Sequence, residues 1–115
     1  MTGRVAPEWL TRWEYAHRGL HGVGVPENSL AAAKGAIARG MGIECDVQMS
    51  ADGVPVVFHD WKLERLTGAD GMVGAQAADV LEDLTLLGTD QHPPGLNLFL
   101  TTVAGQVPLL IEVKS

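Results

Sequence analysis

The chain has 115 residues, 46% of them hydrophobic and 19% charged, and 8 Lys+Arg against 14 Asp+Glu leave a formal charge of −6. That balance suits one globular domain and excludes a disordered or low-complexity chain. It also argues against nucleic acid as the main partner, since phosphate backbones need a basic surface.

The first ten residues lack the apolar core of a secretory signal. Apolar runs such as residues 107–111 are too short to cross a bilayer, so no membrane span is expected and a cytoplasmic protein is. Residues 13–17 read as a short strand running into Gly19, Gly22 and Gly24, a glycine-dense turn that lets backbone approach a ligand. Residues 29–39 suit a helix, with Asn28 or Ser29 to cap its start and Gly40 for the left-handed exit. Ile43, Cys45, Val47 and Met49 alternate with Glu44, Asp46 and Gln48, which predicts a strand with one apolar face. Asp52-Gly53 signals a turn before a second strand over residues 54–59. Residues 75–87 and 96–104 are weaker helical stretches, and residues 109–114 form a last strand with Leu110, Glu112 and Lys114 on one side.

Ionisable groups gather at or near the ends of these strands: His17-Arg18, Glu44-x-Asp46, His59-Asp60 and Glu112-x-Lys114. Taken singly, each has a bland reading as a solvated strand face, a surface ion pair or a structural histidine. Together they suggest more. Glu44 and Asp46, two apart, leave the same face of a strand, and Glu112 adds a third carboxylate on another. Three oxygen ligands select a hard ion, Mg²⁺ or Ca²⁺, over zinc. His17 and His59 titrate near neutral pH, so one ring can accept a proton while the other donates one. A two-residue hairpin at Asp52-Gly53 would set Asp46 opposite His59, whereas parallel pairing of the two strands would bring their C-terminal ends together. Arg18 is a natural bidentate phosphate binder and Lys114 a point charge for the same anion. Asp60 reads as a group that orients a neighbour or caps a turn. Cys45 reads as inert core, His21 and His92 as surface loop residues, and Trp9, Trp13 and Trp61 as packing residues, Trp61 being near enough to His59 to line a site. A divalent cation, two histidines and two basic groups describe hydrolysis of an anionic phosphate ester.

The segments Ala16-His17-Arg18-Gly19, Pro26-Glu27-Asn28-Ser29, Glu44-Cys45-Asp46-Val47, Asp52-Gly53-Val54-Pro55-Val56-Val57-Phe58-His59-Asp60, Leu63-Glu64-Arg65-Leu66-Thr67 and Ile111-Glu112-Val113-Lys114 resemble, in that order, the glycerophosphodiester phosphodiesterase family. The resemblance implies an α/β chain, the N-terminal half of a TIM-like (β/α)8 barrel of the phospholipase-C-like group. It implies His17 and His59 as the acid/base pair, Glu44, Asp46 and Glu112 as metal ligands, and Arg18 and Lys114 facing the substrate phosphate. The expected substrate is a small glycerophosphodiester, cleaved to sn-glycerol 3-phosphate and an alcohol, with water or the substrate's own glycerol hydroxyl as nucleophile. Related phospholipase-C-like or sphingomyelinase-D-like phosphodiesterases, and a non-catalytic half-barrel that binds a partner or phosphate, are the competing readings. Residues 60–106 correspond to the insertion that covers the family's site. Where the family has Pro-Thr-Leu before its next helix, this chain reads Pro93-Pro94-Gly95-Leu96-Asn97, which puts the helix start in question.

A barrel of this kind takes at least ~200 residues. The 115 residues are therefore expected to be one partial domain, ending after the fourth strand, with an open barrel edge through which copies could associate.

Overall fold

In a computed structural model of the chain, residues 8–114 are described; residues 1–7, most of the stretch read above for a leader, and the Trp9 side chain lie outside the described residues. The elements run α1 (Glu8–Arg12), β1 (Tyr15–His17), α2 (Leu30–Ala38), β2 (Gly42–Met49), β3 (Pro55–Val57), α3 (Glu64–Thr67), a 3-10 turn (Val73–Ala75), α4 (Ala78–Asp83), α5 (Leu96–Val103) and β4 (Leu109–Val113).

β2, the longest strand, carries the other three. β1 lies parallel to it, with His17 beside Glu44, and β4 lies parallel on its other edge, with Asp46 beside Glu112. β3 returns antiparallel, pairing Val57 with Val47 and Pro55 with Met49. The five residues between β2 and β3 are too few for a parallel crossover, which takes about a dozen. Three strands are thus parallel and one is a hairpin arm, in an open α/β sheet.

The hairpin register differs by one residue from that of a tight Asp52-Gly53 turn. Phe58, not His59, stands opposite Asp46, and its N–H donates to the Asp46 carbonyl at 2.9 Å. The turn is wider because Ser50 and Val54 also belong to it: Ser50 N–H donates to Val54 O, and Ser50 Oγ accepts the Val54 N–H.

One face of the sheet is covered by α2 and α5. Ser29 caps α2, its Oγ accepting the Ala32 N–H at 3.1 Å, and Gly40 makes the left-handed exit at φ 69°. Ala33 and Ala36 of α2 and Phe99 and Val103 of α5 close over Ile43, Cys45, Val47 and Val57, with Trp13 packed at the margin. Burying a side chain such as Phe99 stabilises the fold by about 3 kcal/mol. The Pro93-Pro94-Gly95 departure leaves α5 intact: it starts at Leu96, and Pro94 O accepts the Val57 N–H at 2.8 Å. A second cluster, including Phe58, Leu63, Leu66, Val73, Leu81 and Leu86, lies under α3, the 3-10 turn and α4. The helix expected over residues 75–87 is confined to α4, because the chain is already extended at Leu84.

The first glycine of the glycine-rich turn meets helix α2, whereas Gly22 and Gly24 face open space. Gly19 has φ 79°, and a Cβ there would sit 2.7 Å from Ala32 Cβ, so its close approach is to α2. The opposite sheet face is also more buried than simple alternation predicts. Asp46 is 1% and Gln48 2% exposed, whereas Met49, expected on the apolar face, is 50% exposed.

Candidate active site

The parallel register of β2 and β4 sets Asp46 beside Glu112, and the two-residue repeat puts Glu44 on the same face. One carboxylate oxygen from each of Glu44, Asp46 and Glu112 lies within 4.8 Å of the others. Their exposure is graded: Asp46 is buried, Glu44 half-buried and Glu112 exposed. Such crowding of like charge is relieved by a counter-charge or by a proton on one of the acids. Burial pushes the Glu44 carboxyl above its ordinary value against the opposing N–H of Arg18, and the Asp46 charge adds to the rise.

The connection between β1 and α2 supplies partners to these acids. Arg18 has φ 59°, a left-handed conformation uncommon for this residue type. Its N–H donates to Glu44 Oε1 at 3.1 Å, and its Nη1 to Glu27 Oε2 at 3.1 Å. The Arg18 Nε is buried, has no hydrogen-bond partner and lies 3.7 Å from Asp46 Oδ2. Asn28 Nδ2 donates to that same Asp46 oxygen at 3.1 Å. His17, at the end of β1, presents Nε2 3.7 Å from Glu44 Oε1 and is largely exposed.

The second histidine arrives from the opposite direction. β1 and β3 occupy the same edge of β2 and run towards each other, so each must leave the sheet where it meets the other. His17-Arg18 stands at one exit and His59-Asp60 at the other. His59 Nδ1 lies 2.9 Å from Asp60 Oδ1, so the neighbour that Asp60 contacts is His59. Two hydrogen bonds from Arg65 are the main reason the Asp60 carboxyl is held down to about 2, outweighing burial, and His59 adds to them. Gln48 Nε2 donates to the carbonyls of Phe58 and Asp60 at 2.9 and 2.8 Å, fixing this exit from beneath.

Lys114 follows β4, its N–H donating to Val47 O at 2.8 Å. Its Nζ lies 5.4 Å from the centre of the Trp61 ring. Lys114, Trp61, His59, Asp60 and Lys62 line an open depression of about 340 Å³. Trp61 therefore lines this depression and packs under the lysine without entering the core. Cys45 is fully buried and its thiol is pushed up to about 12, mainly by burial, with Glu44 and Asp46 adding, in keeping with an inert core residue. His21 and His92 are exposed.

Glu27, Gln48 and Arg65 carry no assigned role in the sequence reading, and Asn28, read there as a possible helix cap, instead bonds Asp46 while Ser29 caps α2. All but Gln48 lie inside the segments that carry the resemblance. Their burial and pairing arise from contacts between residues far apart in sequence, such as Arg65 with Glu27.

No helix among the described residues is long and apolar enough to cross a membrane. Residues 17–113 match the model of the Glycerophosphoryl diester phosphodiesterase family. A glycerophosphodiester phosphodiesterase of Caldanaerobacter subterraneus subsp. tengcongensis is 37% identical over 99 residues, covering 85% of this chain and 37% of that protein. Among solved structures, an Oleispira antarctica phosphodiesterase in complex with the product sn-glycerol-3-phosphate superposes with a TM-score of 0.82 at 29% identity, covering 92% of this chain and 47% of that one. A glycerophosphodiester phosphodiesterase from Agrobacterium tumefaciens gives 0.83 at 34% identity, covering 90% and 47%. The chain thus spans under two-fifths of that curated relative and about half of these solved chains.

Proposed function

The chain belongs to the glycerophosphoryl diester phosphodiesterase family, and from that premise we propose that its site hydrolyses a glycerophosphodiester to sn-glycerol 3-phosphate and an alcohol. The observation that carries this reading is the convergence of Glu44, Asp46 and Glu112 within 4.8 Å, flanked by His17 and Arg18. The product complex of the Oleispira antarctica relative supports the same substrate class.

The donor set fits a hard divalent cation. Ca²⁺ takes oxygens at about 2.3–2.6 Å and Mg²⁺ at about 2.0–2.1 Å, so ligands across one ion stand about 4–5 Å apart. Glu44, Asp46 and Glu112 would hold Mg²⁺ or Ca²⁺. When bound, the ion neutralises charge on the non-bridging phosphate oxygens and helps align the ester. The protein's own groups do the rest. Arg18, whose buried Nε has no partner, and Lys114 bind the phosphate. One of His17 and His59 takes the proton from the attacking oxygen, of water or of the substrate's own glycerol hydroxyl, as that oxygen bonds to phosphorus. As the P–O bond to the alcohol breaks, the other gives a proton to the leaving oxygen, each transfer adding typically ~10²–10⁴-fold. Where the glycerol hydroxyl attacks, water then opens the cyclic phosphate to sn-glycerol 3-phosphate.

In this reading the parallel strands β1, β2 and β4, with α2 and α5 outside, are the first part of a TIM-like barrel. Residues 60–106 include the segment beside its mouth, where Trp61 borders the site. Among the described residues β4 pairs with β2 alone, and its outer edge is where a further strand, from the rest of a barrel or from a second copy, would pair.

The test is release of sn-glycerol 3-phosphate from glycerophosphocholine with Mg²⁺, with Ca²⁺ and with chelator. Cation-dependent release is expected, and His59→Ala should abolish it while cation binding persists. Release that survives chelation or the His59 change would sink the reading.

A further inference from the structure

Arg65 lies outside the carboxylate triad and is half exposed, yet its guanidinium engages two acids at once. Nη1 donates to Glu27 Oε1 at 3.0 Å and Nη2 to Glu27 Oε2 at 2.9 Å. Nε donates to Asp60 Oδ2 at 2.8 Å and Nη2 also to Asp60 Oδ1 at 3.0 Å. This uses nearly the whole donor fork of an arginine, and a lysine ammonium has no equivalent geometry. An isolated surface ion pair contributes little to stability, and a bidentate network of this kind contributes more. It also supplies direction.

Asp60 Oδ1 stands 2.9 Å from His59 Nδ1. An ionised carboxylate in that place accepts from Nδ1–H, which leaves the Nε2 lone pair of the neutral ring free. Two bonds from one planar group fix both Asp60 oxygens, so the carboxylate cannot turn away to water. At the far end Glu27, 7% exposed, accepts from Arg18 Nη1 at 3.1 Å. An unbroken chain of contacts therefore runs Arg18–Glu27–Arg65–Asp60–His59.

We propose that Arg65 is a positioning residue. Through Asp60 it sets the tautomer and direction of His59, and through Glu27 it fixes that histidine relative to Arg18. The kinetic consequence rests on the phosphodiesterase reading; the structural one does not, and the test separates them.

In the intact protein labelled with ¹⁵N-histidine, ring-nitrogen shifts at alkaline pH report which nitrogen of His59 holds the proton, the signal being identified by its loss in His59→Gln. The wild type should hold it on Nδ1. Arg65→Gln should move the ring several-fold towards the Nε2–H tautomer, and Arg65→Lys, which keeps the charge, should do so too and serves if the glutamine variant fails to fold. With glycerophosphocholine and saturating Mg²⁺ both should lower kcat by about 10–100-fold, with KM and cation affinity within about threefold. An Nε2–H ring in the wild type, or a tautomer unmoved by both variants, overturns the proposal. A shifted tautomer in a protein without turnover upholds it and counts against the phosphodiesterase reading instead.

Discussion

Asn28 and Asp46 meet at 3.1 Å through Nδ2 and Oδ2, with neither residue more than 2% exposed. The asparagine also takes the Asp46 N–H on its Oδ1 at 3.4 Å, while its own N–H donates to Arg18 O at 2.8 Å. Its φ of 55° suits asparagine better than most residues. Asn28→Ala should therefore lose about 2–4 kcal/mol, from a buried carboxylate that loses its hydrogen bond and an alanine forced left-handed. Asn28→Asp keeps shape and conformation but faces Asp46 with a second negative charge. Urea unfolding at neutral pH should find it destabilised without added cation and largely restored by Mg²⁺ or Ca²⁺, whereas the alanine variant recovers less. An aspartate variant as stable as wild type without cation would show that this pairing does not matter.

The graded burial of the three carboxylates makes Glu112 the cleanest probe of cation binding. Glu112→Gln removes an exposed charge, so unfolding free energy should stay within about 0.5 kcal/mol of wild type. Titration calorimetry should nevertheless find Mg²⁺ and Ca²⁺ affinity lower by at least about tenfold, a modest figure for a direct ligand. Glu44→Gln keeps an acceptor for the Arg18 N–H while losing its charge, and should weaken binding similarly. If neither variant binds less tightly, the triad does not hold the ion.

Much of this site was legible because strand geometry is periodic. Glu44-x-Asp46 and Glu112-x-Lys114 each imply one face, and the parallel pairing of β2 with β4 needed only to set Asp46 beside Glu112. The Ser29 cap and the α5 span were local features and appear as expected, α5 one residue shorter. The hairpin register was not legible, because one extra residue in the loop moves His59 off the position opposite Asp46. Nor was the burial of Asp46 and Gln48, since alternation alone reads polar residues as solvated. Those side chains are covered and satisfied by Asn28, Phe58 and Asp60, which come from other loops. α3 spans Glu64–Thr67, too short to display a helical period, so Arg65 gave no hint that it would reach Glu27.

Asp60 makes the acid limb of stability a test of the Arg65 contact. Its folded-state carboxyl is held near 2, below the ordinary value of 3.8. The unfolded chain then binds more protons than the folded one across this interval, so stability rises with pH. The contribution is complete above about pH 4 and is lost as pH falls towards about 2. Glu27, also lowered because Arg65 and Arg18 outweigh its burial, acts in the same direction. Arg65→Gln should flatten this limb in urea unfolding measured between pH 5 and 2. An unchanged slope would mean that the guanidinium does not hold these acids ionised in solution.

Trp61 tests whether Lys114 needs a platform. The ring lies 5.4 Å from Nζ and is 47% exposed, so it anchors little of the core. An exposed cation–π contact is worth about 0.5–1 kcal/mol, which converts to a two- to fivefold change in an equilibrium constant. Trp61→Ala should therefore raise KM for glycerophosphocholine by about two- to fivefold, through a lysine that no longer holds its place beside the phosphate. Cation affinity should not move, because neither residue belongs to the carboxylate triad. Trp61→Phe keeps a weaker π face and should fall between the two. A KM unchanged in the alanine variant would mean that Lys114 finds the phosphate without the ring. A fall confined to kcat would instead tie Trp61 to its other neighbour across the depression, His59.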